Sequence, residues 1–137
     1  MTVVYSSNVS DSVEVRQTNL DVACRTGSAT FEATTATTVL TLPRGAIIRD
    51  FYVNITTASD ATTAVFDVGL STDPDGLVSD LDATTAGLSR AGDTSTVLGE
   101  LNGTALAVDT AVQVTYSESS GTATEGTIEV VVLYTRQ

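Results

Sequence analysis

The chain has 137 residues, which is room for one domain or for one domain with an arm. Six Arg and no Lys stand against 17 Asp plus Glu, a net charge of −11, and there is no His. These counts exclude His-based nucleophilic catalysis, His-ligated zinc, lysine Schiff bases and the lysine phosphate loop, and so acidic a surface repels nucleic-acid phosphates.

Thr and Val, the two most abundant residues, are stiff at the first side-chain torsion and suit a pleated surface, so the chain reads as all-β. Residues 1–10 differ from the rest, with Val3, Val4, Tyr5 and Val9, no charge and no turn signal tying them back; they read either as a frayed terminus or edge strand or as an extended N-terminal arm. Residues 11–137 form the single folded domain. Its first strand is expected over 12–16, where Val13 and Val15 alternate with polar residues. Strands over 28–33 and 36–42 follow, with Phe31 the largest side chain of the former. Residues 46–56 carry Ile47, Phe51, Val53 and Ile55 on one face, interrupted by Arg49, which must be paired or lie at the sheet's rim. The next strand covers 63–70, aligning Ala64, Phe66, Val68 and Leu70. Shorter segments lie around Leu88 and over 95–98. Residues 111–116 and 126–135 end the chain; Tyr116 and Tyr134 fall on core faces, and Val131 and Leu133 mark a strand covered on both sides. Eight or so short strands separated by turn residues predict a β-sandwich, of which the jelly roll is the eight-stranded form.

No apolar run approaches the roughly 18 residues of a membrane span, and the start lacks the basic and apolar regions of an export signal, so synthesis in a reducing cytosol is expected. Cys24, the one cysteine, is expected to be a small buried hydrophobe.

The Asp-rich stretch 67–82 is the one segment that invites a metal reading. Asp73, Asp75 and Asp80 could ligate calcium, although the spacing is not that of an EF-hand. The alternative is turn chemistry: Asp73 caps, Pro74 presets its backbone angle and Gly76 takes positive φ. A glycosidase needs only paired carboxylates, but its sugar platforms are aromatic, and this chain has no Trp and four Tyr.

The segment LPRGAIIRDFYVNITTASDATTAVFDVGLSTDPDGLV, residues 42–78, resembles small structural proteins of tailed-bacteriophage virions. The closing piece YSESSGTATEGTIEVVVLYTRQ is similar to their last strand pair. The resemblance implies a head decoration (cement) protein: a jelly-roll-like, non-enzymatic virion component bound outside the major capsid protein shell, stabilising contacts between capsomers. A neck, tail or fibre component, or a carbohydrate- or receptor-binding sandwich, is the alternative. The expected partners are the major capsid protein and copies of the chain itself, as a trimer on a capsid threefold axis or else a dimer on a twofold axis. In that role Val3, Val4, Tyr5 and Val9 of the arm add a strand to a neighbour. Because −11 opposes self-association, contacts must be apolar or locally matched by Arg, with Arg16 and Arg25 as candidates.

Overall fold

A computed structural model describes residues 22–90 and 103–136. The candidate strands at 12–16 and 95–98, the arm with Val3, Val4, Tyr5 and Val9, and Arg16 all lie outside the described residues. The rest is all-β, with eight strands: β1 (Ala23–Thr30), β2 (Thr37–Leu42), β3 (Ala46–Thr57), β4 (Thr63–Leu70), β5 (Asp73–Asp82), β6 (Gly87–Arg90), β7 (Thr110–Ser120) and β8 (Thr127–Arg136).

The strands form two four-stranded antiparallel sheets, β1-β8-β3-β6 (sheet I) and β2-β7-β4-β5 (sheet II). Among the described strands only β4 and β5 are consecutive neighbours in one sheet, and the other consecutive pairs lie in opposite sheets, which gives the jelly-roll order. The inner faces meet in one core centred on Phe51, Phe66, Leu70, Val112, Val114, Ile128, Val130 and Val132, with Tyr116 and Tyr134 also buried.

Arg49 does not lie on the core face, because the strand breaks its alternation there. Opposite β8, Ile48 faces Tyr134 and Asp50 faces Leu133, so Arg49 is the extra residue of a bulge. Before the bulge Ala46 and Ile48 point inward; after it Phe51, Val53 and Ile55 do. The inward residue is thus Ile48 rather than the expected Ile47, and Arg49 is left exposed with its Nε donating to Thr135 Oγ1 at 2.9 Å.

Three further expectations are corrected. The first described strand begins at Ala23 rather than at residue 28, so Phe31 lies just past its end, where its N–H donates to the Gly126 carbonyl at 3.0 Å. Cys24 is exposed, not buried, because it lies on the outer face of an edge strand, opposite Leu133. The Asp73-Pro74-Asp75-Gly76 stretch is not a turn but the start of β5; the chain reverses at Ser71 and Thr72. Pro74 is tolerated because β5 is an edge strand. Gly76 does not adopt positive φ; the left-handed residue of β5 is Asp80, at 56°.

Candidate interaction surfaces

At one end of the sandwich four loops bind one another. They follow β1, β3, β5 and β7. Tyr116 anchors them from inside: its hydroxyl donates to Glu118 Oε2 at 2.9 Å and lies 2.7 Å from Ser59 Oγ, which in turn accepts from the Ala61 N–H at 3.2 Å. Glu118 Oε2 also accepts from the Ala123 N–H at 3.1 Å. Burial, chiefly, raises the Tyr116 phenol above its ordinary value, so it stays protonated and keeps its donor. Ser59 N–H reaches Ala83 O at 2.8 Å, and Tyr116 N–H reaches Ala33 O at 2.7 Å.

Asp60 closes the same end from outside. Its carboxylate accepts from the Thr124 N–H at 2.7 Å, the Glu125 N–H at 3.3 Å and the Thr124 hydroxyl. The Thr124 side-chain bond, followed by its backbone bond, holds the Asp60 carboxyl below the ordinary 3.8. A carboxylate with a depressed folded pKa stabilises above its unfolded value, and that contribution is lost as pH falls through the folded one. Asp60→Ala should therefore lower the melting temperature at pH 7, and the gap to the parent should close as pH falls below 3.8. Paired thermal melts across that range check it.

The opposite end is tied by Gly45 N–H to Leu106 O at 2.8 Å, Leu106 N–H to Ala46 O at 2.9 Å and Arg44 N–H to Asp109 Oδ1 at 2.8 Å. The exposed Val22 and Val108 belong to this end, where β1 and β7 begin.

Sheet I presents an outer face with an apolar diagonal: Cys24, Leu133, Val131, Tyr52 and Leu88 follow one another across β1, β8, β3 and β6. Val131 is only 5% exposed and Leu133 is half-buried, as the two-sided pattern of this strand predicted, while Leu88 is 59% exposed. Arg90 Nη2 pairs with Asp50 Oδ2 at 2.7 Å beside this diagonal.

Of the residues singled out from the sequence, Arg25 belongs to β1. Its Nη1 donates to the Thr41 carbonyl of β2 at 2.7 Å and so clips the two sheets together at that side. Asp73 and Asp75 are brought together: the neighbouring Asp75 carboxyl pushes Asp73 above its ordinary value. Asp80 is not with them. Asp73 faces Leu70, whereas Leu81, the neighbour of Asp80, faces Phe66 four positions along β4, roughly 13 Å away. The Asp80 N–H instead donates to Asp67 Oδ1 at 2.7 Å. Among the described residues no three acidic, Cys or His side chains are grouped to hold a metal ion.

Sequence reasoning missed two features of this surface. A bulge at Arg49 and a strand at β5 both depend on which strand lies alongside, and periodicity within one segment does not carry that information.

The arrangement defines an eight-stranded jelly-roll sandwich whose described surface consists of sheet faces, strand edges and two loop ends. Chains of similar shape occur in phage capsid structures. At a TM-score of 0.62 and 23% identity, 85% of this chain matches 86% of a chain in the structure "Cyanophage Pam1 capsid asymmetric unit". A chain in "Capsid of Ralstonia phage GP4" matches at TM-score 0.61 and 18% identity, over 85% of each chain. A chain in "Acidic stable capsid structure of Helicobacter pylori bacteriophage KHP30" matches at TM-score 0.58 and 13% identity, over 84% of this chain and 91% of that one. The fold is therefore one found in phage capsids. No protein-family model matches the chain, and no curated protein does.

Proposed function

We propose that this chain is a non-enzymatic structural component of a phage virion and acts as a decoration (cement) protein, bound to the outside of the capsid shell. One observation carries the reading: the chain shares its fold, over most of both lengths, with chains of about its own size in three phage capsid structures. The physical character of the molecule supports it. A cement protein needs contact area and stiffness rather than an active site. Loops hydrogen-bonded at both ends and a core of non-local strand pairs supply stiffness and slow unfolding. Weak contacts repeated by a lattice add up through avidity. The major capsid protein is the partner, and the lattice threefold axis suits a trimer.

The test is binding of the purified chain to expanded capsids that lack it. Saturation at hundreds of copies per particle, measured by quantitative mass spectrometry, is the expected result. Removing residues 1–10 should weaken binding by at least about tenfold, or about 1.4 kcal/mol per site, while the truncated chain still unfolds in one cooperative transition. A handful of copies per particle, or labelling confined to the tail, would assign the chain to the neck, tail or fibre instead.

A further inference from the structure

The four outer edges of the sandwich are not alike. Among the described strands, sheet I ends at β1 and β6, and sheet II at β2 and β5. Three of these carry devices that discourage a further strand. β6 is four residues long. β2 is bulged at Val39, between Thr38 and Leu40. β5 contains Pro74, two register shifts, the left-handed Asp80 and the carboxylates of Asp73, Asp75, Asp80 and Asp82.

β1 carries none of them. Its eight residues run in unbroken register with β8, from Ala23 opposite Tyr134 to Thr30 opposite Thr127. Its side chains are small or polar and exposed along most of their length, and no acidic residue lies between Asp21 and Glu32. Its one charge, Arg25, is turned across to the Thr41 carbonyl. Beside its second half lies a hollow of about 300 Å³ lined by Ser28, Ala29, Thr30, Glu32, Ala33 and Thr37, with room for a large side chain.

We propose that the outer edge of β1 accepts an extended strand, and that the strand is residues 2–9 of a second copy of this chain. Twenty-one residues precede Val22, and none of them is Gly, which two-residue hairpin turns favour, or Pro. The twelve residues from 10 to 21 reach about 40 Å when extended. That reach exceeds the Debye length of about 8–10 Å, so bodies carrying −11 each can be joined without being pressed together. The donor carries no charge, and its Val3, Val4, Tyr5 and Val9 supply the β-favouring side chains that an added strand needs, one of them to fill the hollow. The inference needs only copies of this chain and stands apart from the virion reading.

Cys24, the one native cysteine, lies in β1 and is exposed, so it serves as a cross-linking probe. Val4→Cys and Tyr5→Cys place a second thiol on opposite faces of the donor. Under mild oxidation one of the two should form disulfides between chains at least about tenfold more efficiently than the other, and Cys24→Ser should abolish them. Sedimentation velocity should show the full chain as an oligomer and the chain lacking residues 1–10 as a monomer. Thr26→Lys, a solvated charge on the edge, should weaken self-association of the full chain, while in the chain lacking residues 1–10 it should leave the melting temperature unchanged. Disulfides within single chains, a full chain that is monomeric, or oligomers that survive loss of residues 1–10 would each overturn the proposal.

Discussion

Replacing Phe66 with alanine should reduce the free energy of unfolding by about 4 kcal/mol, within the range for truncating a buried phenylalanine. Phe66 is fully buried in β4, opposite Tyr116 on one side and Leu81 on the other. Its ring meets that of Tyr116 edge-on, with centroids 5.3 Å apart and planes at 61°, so the substitution removes an aromatic pair as well as apolar area. The cavity would open beside the tyrosine that ties Ser59 to Glu118, and the loop end should loosen with it. Urea unfolding should show a lower midpoint at unchanged slope, and the melting temperature should fall by roughly 10–15 °C. A loss below about 1 kcal/mol would mean that the sheets do not meet at this residue.

Replacing Gly27 with valine should cost about 3 kcal/mol, the upper part of the usual range for overpacking. Gly27 faces inward where β1 crosses β2, and a Cβ there would stand 2.2 Å from the Val39 carbonyl oxygen. The obstruction is backbone rather than a side chain that can turn away, so the two sheets would have to separate at the side that Arg25 clips. Even alanine should destabilise. Thr26→Val, one residue earlier but on the outer face opposite Val131, should be close to neutral. Chemical denaturation of the three variants side by side distinguishes a local close approach from a general intolerance of β1.

Much of this fold was legible in the order of residues. β3, β4, β7 and β8 follow from alternating apolar residues, and Tyr116 and Tyr134 fall inside as their positions in that alternation require. The departures share one physical origin. β5 begins with Asp-Pro-Asp-Gly, residues that favour turns when nothing else acts on them; pairing with β4 at an edge overrides that local preference. Arg49 interrupts the inward run of its strand, and the bulge removes the conflict by shifting the face that follows it. Cys24 is exposed because of the position of β1 at the rim, a property of the whole sheet. The interaction surface was less legible still. The donor-like character of residues 2–9 shows in their composition, but an acceptor edge is recognisable only once all four rims can be compared.

The placement of β8 has a consequence for how the molecule is made. β8, the last of the described strands, is an interior strand of sheet I, and it joins β1, whose Ala23 lies opposite Tyr134, to β3. While the ribosome is still short of residue 127, β1 has no neighbour in its own sheet among the described strands, and β3 has only the four-residue β6. Translation at about 5–20 residues per second leaves that half of the molecule open for seconds. A product terminated before residue 127 would lack the strand that joins β1 to β3 and would be exposed to proteolysis.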